Sequence, residues 1–377
     1  MSGAASRGAN PTAQGHIPSL DGFRVIATLI VFFSHSGFGF VVPGLFGVTV
    51  FFFLSGFLIT TLLFREADRT GRIDLPGFFA RRAVRLYPAL LATMVIGYGL
   101  VALGLLAGEV RPEIIASQML YWFNYYRIYA EGSGEGVAGF RVLWSLSVEE
   151  HFYLAYPFVF LALLTVRRPR ARLAVLGAGL AAVLAWRIAL VTGGDPSYLR
   201  MAQATDTRID SILWGCLLAF WHRGREAPPD APATEDARGA RRMHLVLVLS
   251  ALVLLVTFAY RDEAFRQTWR YTLQGAALVP VFHYAVTAPR AWWFRPLNWP
   301  FVRPLALCTY AFYLIHDAVL HGLTRYGVGP DRPLAHNIAG LALTLALSAL
   351  LYVAVERPAA RLRRTLHGRA RRGAASA

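Results

Sequence analysis

The sequence predicts an all-α integral membrane protein, with about ten transmembrane helices in a polytopic bundle and a short cytoplasmic amphipathic helix. Three observations carry that prediction. Of 377 residues, 56% are hydrophobic and 16% charged, against roughly 25% charged in ordinary soluble domains. Apolar stretches of about 20 residues, long enough for some 30 Å of hydrocarbon, recur along the whole chain. The 38 basic residues are all arginine, and they crowd onto alternate connections between those stretches.

The stretches run over 19–40, 45–64, 88–107, 144–166, 172–192, 207–222, 243–260, 269–288, 304–323 and 336–355. The first carries Arg24 and His35 and lacks a small-residue cleavage site, so it reads as retained and not as a signal peptide. DLPGFFARRAVRLYP (74–88) reads as the short amphipathic helix, with Asp74 as N-cap and Pro76 in the first turn. EIIASQMLYWFNYYRI (113–128) is aromatic and amphipathic, the pattern of an interfacial or re-entrant segment. Residues 1–16 read as a flexible lead, 17–357 as one membrane domain without internal repeat, and 358–377 as a basic disordered tail. The stretch 224–242 has the composition of a mobile cytoplasmic loop.

Charge orients the bundle. With the N-terminus inside, the cytoplasmic segments hold 26 arginines and the outer ones 9, which is the bias expected of a chain with both termini in the cytoplasm of a cell membrane. That charge is spread over short loops facing the lipid bilayer, which accounts for the basic balance without nucleic acid. The absence of lysine excludes Schiff-base and P-loop lysine chemistry. Two isolated cysteines, Cys216 and Cys308, give neither a disulfide framework nor a zinc site. Histidines scattered over different spans without ligand spacing give no metal site either.

Ionisable side chains at membrane depth cost roughly 2.5–3.5 kcal/mol each even on lenient scales, so each asks for a reason. Arg24 and His35 fall about 20° from the same helix face and about 16 Å apart along it. Glu149 and Glu150 lie about 100° apart on a helix; Glu149 shares its face with Tyr153 and Tyr156 and is expected to point inward at the depth of His35. A histidine–carboxylate pair is the minimal apparatus for taking a hydroxyl proton. Buried neutral glutamic acids serving as helix glue are the structural alternative. Arg187 and His283 read as snorkelling or pairing, and His316, by spacing alone, as a satisfied core histidine. Arg81, Arg82 and Arg85 stack on one helix side; anchoring at the inner surface explains them, and a polyphosphate ligand would want the same cluster.

These residues also carry a resemblance. LDGFRVIATLIVFFSH resembles the opening helix of the membrane acyltransferase-3 family, with its arginine, ten residues, then histidine. RRAVRLYP is similar to that family's cytoplasmic R-x-x-R, and LWSLSVEEHFYLAYP to its W-S-L-x-V-E-E-x-F-Y-L segment, with His151 where glutamine is usual. TRIDSILWGCLLA, YAFYLIHDAVL and VERPAARL resemble further blocks, so the likeness extends from residue 19 to about 362.

The resemblance implies an O-acyltransferase that moves an acyl group, commonly acetyl, from acyl-CoA (acetyl-CoA first) to a hydroxyl of a sugar, glycan or secondary metabolite. By motif it implies His35, Glu149 and Glu150 as catalytic residues and Arg24, Arg82 and Arg85 as the donor-binding ones. Tyr153, Arg208, Asp210 and His316 become the substrate-binding candidates. His35, oriented by Glu149, would act as general base, with an acyl-histidine intermediate as a variant route. No appended SGNH-type esterase domain is seen, so the chain would complete transfer alone. A transporter or flippase using the buried charges as a translocation path is the rival reading. The orientation has a direct check: cysteines placed at residues 10 and 370 should be labelled only from the cytoplasmic side of intact cells, and labelling of either from outside would overturn it.

Overall fold

The computed structural model describes residues 17–130, 134–194, 196–224 and 237–362. The lead 1–16 and most of the loop and tail singled out above lie outside the described residues. Helices dominate: α1 (Pro18–Phe33), α2 (Gly44–Thr70), α3 (Leu75–Ala102), α4 (Pro112–Met119), α5 (Phe123–Tyr129), α6 (Trp144–Thr165) and α7 (Pro169–Gly193) form the first half. They are followed by α8 (Tyr198–Gln203), α9 (Thr205–Arg223), α10 (Ala237–Ala259), α11 (Glu263–Gln267), α12 (Trp269–Thr287), α13 (Val302–Arg325) and α14 (Pro333–Leu351). The described residues contain no strand, only an isolated bridge between Gly108 and Val137.

Each apolar stretch coincides with one long helix. Five of these, in 44–70, 75–102, 169–193, 238–259 and 333–362, are long and apolar enough to cross a membrane by length and composition. Outer helices turn apolar side chains away from the bundle: Leu245, Leu249, Leu252 and Leu255 on α10, and Ile338 and Leu350 on α14, are all exposed. In water such a surface would aggregate; against lipid it is the required one.

Two local expectations are corrected, the separate helix over 74–88 and the reach of the first stretch to residue 40, and two other segments gain detail. The amphipathic segment 74–88 is not a separate helix but the first half of the 28-residue α3, which runs through Pro88 unbroken. Asp74 does cap it, accepting from the Gly77 N–H at 3.0 Å. Proline inside a long buried helix forfeits one backbone bond, and neighbouring helices offset the loss. The segment 113–128 splits into α4 and α5 around Tyr121, whose φ of 54° ends the first helix. The start of the tail is helical as far as residue 362. The first helix also ends short of its predicted limit: after Phe33 it passes into a π turn over Ser34–Phe38, where Gly37 takes φ 107°.

The central element is α2, which packs against α1, α6, α9 and α12. Phe52, Phe53, Phe57 and Leu63 on it are almost fully buried. Its contact with α9 is backbone to backbone. A Cβ at Gly56 would run into the Ile212 carbonyl oxygen, and one at Gly215 into that of Phe53. Small residues at such a crossing are how helices associate where lipid removes the hydrophobic drive between them. Replacing either by leucine should therefore push α2 and α9 apart and destabilise the bundle by about 2 kcal/mol or more. A lowered unfolding midpoint of purified Gly56→Leu or Gly215→Leu in detergent checks this; unchanged melting would refute it.

Candidate active site

A cavity of about 290 Å³ runs into the bundle between α1, α2, α3, α6 and α13. Its geometry follows from helix direction. The start of α1, the end of α2 and the start of α3 meet at one end of the bundle, so Arg24, Arg65, Arg82 and Arg85 gather at the cavity mouth. Its inner wall is Val48, Ser145, Thr309 and Tyr313. There the hydroxyls of Ser145 and Tyr313 bond each other at 2.6 Å, and both lie within bonding distance of the Val142 carbonyl.

The arginines of α3 divide. Arg81 is committed to the fold, donating to Glu66 at 2.9 Å and lying 3.6 Å from Asp74. Arg82 turns inward and stacks its guanidinium 3.4 Å from the centre of the Tyr153 ring, with its Nε buried and unpartnered among the described residues. Arg85 also lines the cavity, and Arg24 does so while pairing with Asp21 at 3.0 Å. Cations held over an aromatic face stay charged yet keep donors for a ligand.

Glu149 lines the same cavity. One of its oxygens accepts from Ser55 Oγ at 2.8 Å and the other from the Tyr153 hydroxyl at 3.2 Å. Glu150, a helix step away, does not line the cavity, and its Oε1 is buried without a partner among the described residues.

His35 sits beyond the α-helical part of α1, in the π turn, and faces α13. Its Nδ1 is 2.9 Å from His316 Nε2 and 3.7 Å from Asp317 Oδ1. The carboxylate beside His35 is therefore Asp317, not Glu149. The reason is geometric: the π turn directs His35 toward α13, whereas Glu149 hydrogen-bonds to α2 and within its own helix. Asp317 is in turn gripped by Arg141, through Nε at 2.8 Å and a second nitrogen at 3.3 Å, and lies 3.5 Å from His321 Nδ1.

The hydrogen-bond pattern assigns tautomers. His316 Nδ1 is 2.8 Å from the Tyr313 carbonyl, which can only accept, so that nitrogen carries the proton. His316 Nε2 is then an acceptor, and His35 Nδ1–H donates to it. His35 Nε2 is left with its lone pair, and its ring is 24% exposed. The two imidazoles are nearly coplanar, at an interplanar angle of 4°. A histidine so held is a base with a fixed direction.

Arg208 and Asp210 fall elsewhere. Arg208 lies over the Tyr271 ring at 3.8 Å and donates to the Ala202 carbonyl and Thr49 Oγ1. Asp210 accepts from Arg187 at 2.7 Å and from Thr272 at 3.2 Å. All three ionisable residues are fully buried, and neither Arg208 nor Asp210 lines the cavity. The expected partner of Arg187 is thus Asp210, and His283 meets His222 at 2.9 Å.

Sequence reasoning did not single out Asp317 as the partner of His35, nor Arg141, Ser55 or Ser145. Arg141 read as one of the outer-loop arginines. Asp317 follows His316 in the apolar stretch 304–323, where a charge is costly, and that cost was the available signal.

Comparison with known proteins adds an independent line. The acyltransferase-domain model of the acyltransferase-3 family matches residues 17–353. "Peptidoglycan O-acetyltransferase OatA" of Listeria monocytogenes is 30% identical over 318 residues, 81% of this chain and 49% of that protein. "Putative O-acetyltransferase SACOL0978" of Staphylococcus aureus (strain COL) is 29% identical over 358 residues, 91% of this chain and 57% of that one. The chain thus spans about half the length of these curated relatives. No solved structure matches. With the model covering nearly all of the described bundle, and its signature arginine, R-x-x-R and Glu149 on one cavity, the chain belongs to the acyltransferase-3 family.

Proposed function

We propose that the protein is a ten-span membrane O-acyltransferase that carries an acyl group, acetyl first, from acyl-CoA in the cytoplasm to a hydroxyl of a sugar, glycan or metabolite on the other side. One observation carries the reading: a cavity with arginines at its mouth ends at Tyr313, one helical turn before the His316 that holds His35. The O-acetyltransferase names of the relatives point to acetyl and to a hydroxyl acceptor such as peptidoglycan. Family membership weighs against the transporter reading.

In this reading Arg82, Arg85 and Arg24 bind the donor's phosphates, for which planar, permanently charged forks are suited. The pantetheine arm lies along the cavity past Glu149, whose carboxylate can accept from the arm's amide N–H groups. The acceptor hydroxyl loses its proton to His35 Nε2 as its oxygen attacks the thioester carbonyl. The tetrahedral adduct then expels the CoA sulfur, which takes the proton back from His35. Asp317, paired with Arg141, faces the imidazolium while it lasts, the office for which the sequence had singled out Glu149. Glu150 stays outside this chemistry.

Purified protein offered acyl-CoA and a panel of hydroxyl acceptors tests the whole scheme, and no turnover with any acceptor would sink it. His35→Ala should lower kcat about 10²–10⁴-fold in a monodisperse, folded protein. Asp317→Asn should lower kcat by at least about tenfold and leave donor affinity alone. Glu149→Gln should instead raise the donor KM. If Glu149→Gln lowers kcat alone and Asp317→Asn does nothing, the carboxylate roles are reversed.

Arg82→Lys and Arg85→Lys keep the positive charge but lose the bidentate fork. Calorimetric titration with CoA should show each binding about tenfold more weakly than the parent, with acceptor KM nearly unchanged. Unchanged CoA binding in both would reduce these arginines to membrane anchors.

A further inference from the structure

A second cavity, of about 180 Å³, opens at the opposite end of α1 from the donor arginines. The loop 39–44 forms one wall, and the ends of α10 and α12 with the short α8 and α11 form the rest. Three guanidinium groups line it, Arg261, Arg266 and Arg270, joined by Tyr198 and Gln274. Of the nine arginines that the charge count assigns to outer segments, these make three.

No carboxylate is among the described residues that line this cavity. Asp262 and Glu263 on the same segment are engaged, the first accepting from the Phe265 N–H at 2.7 Å and the second from Gln267 at 3.1 Å. Arg261 donates to the Phe40 carbonyl at 3.3 Å. Arg270 donates to the Tyr271 hydroxyl at 2.8 Å, while its Nε is buried with no partner among the described residues. The half-buried Arg266 makes no side-chain hydrogen bond or ion pair among the described residues. Three guanidiniums facing one polar cavity without a counter-charge make a field that an oxyanion neutralises.

The cavity also touches the reacting centre through the chain itself. Ser34 and Gly39 of its wall bracket His35 in the π turn. We propose that it seats the anionic group, carboxylate or phosphate, of a negatively charged carbohydrate acceptor, with Arg261, Arg266 and Arg270 as its ligands. The assignment of that carbohydrate as acceptor rests on the acyltransferase reading; the anion site itself does not. A sugar anchored by its charge in this cavity presents its ring hydroxyls along the turn that carries His35.

Calorimetry on the full chain in phosphatidylcholine nanodiscs provides the test, with methyl glucuronide, glucose 1-phosphate and methyl glucoside as probes. The parent should bind one or both charged probes about tenfold more tightly than the neutral glucoside. Arg266→Gln and Arg261→Gln should each erase most of that preference, and Arg266→Lys should restore part of it. CoA binding by all three variants should match the parent, which also certifies their fold. Equal binding of the three probes, or an undiminished preference in both glutamine variants, would overturn the proposal. So would competition by added phosphatidylglycerol that the arginine variants abolish, because the cavity would then be a lipid-headgroup site. Charged-probe binding that survives in a protein showing no acyl-CoA turnover would uphold the anion site and refute the acyltransferase reading alone.

Discussion

The close approach of α2 and α9 is the contact from which the site geometry follows. Gly56 and Gly215 each sit against a carbonyl of the other helix, so no side chain separates the two backbones. That contact takes up one face of α2, with Phe53 and Thr60, whose hydroxyl bonds Tyr156 at 2.5 Å. The other face, through Ser55, Leu58, Ile59, Leu62 and Arg65, is thereby left to line the larger, arginine-lined cavity. It also brings Arg208 of α9 within 2.9 Å of Thr49 on α2.

Hydrocarbon then sorts the buried charges. An ionisable group that water cannot reach has to find its counterpart inside the bundle. Arg187, Asp210 and Arg208 do so among α7, α9, α12 and α2, and they tie those helices together. Arg82 has an aromatic face in place of a carboxylate, and its charge stays available to the cavity. Asp317 holds Arg141 on one side and approaches His35 on the other, so the same ion pair that closes α13 onto the segment before α6 also sets the field at the histidine.

The two ends of α1 divide the work. Arg24, near its start, lines that cavity; His35, in the turn that ends it, belongs to the histidine pair. Had the helix stayed α-helical past Phe33, the spacing of eleven residues would have put both on one face. The π turn, with Gly37 in a conformation that favours glycine, redirects His35 toward α13 while Ser36 bonds Asn337 on α14.

The sequence by itself determined the helical class, the apolar stretches, the cap at Asp74 and the residues that carry charge into the membrane, because composition, periodicity and solvation cost are local properties. It also singled out Arg82, Arg85, Glu149 and His35 through motif and cost. It did not determine who meets whom. Asp317 stands 282 residues after His35, and Arg141 another distant segment away, so their convergence depends on how α13 packs on the end of α1. The same holds for Arg208 and Asp210, read from their motif as substrate contacts: only the packing of α9 on α2 and α7 turned them into the bundle's interior. Helix register along one chain can be counted from spacing, but the direction from which a second helix approaches is decided by shape complementarity across the whole bundle.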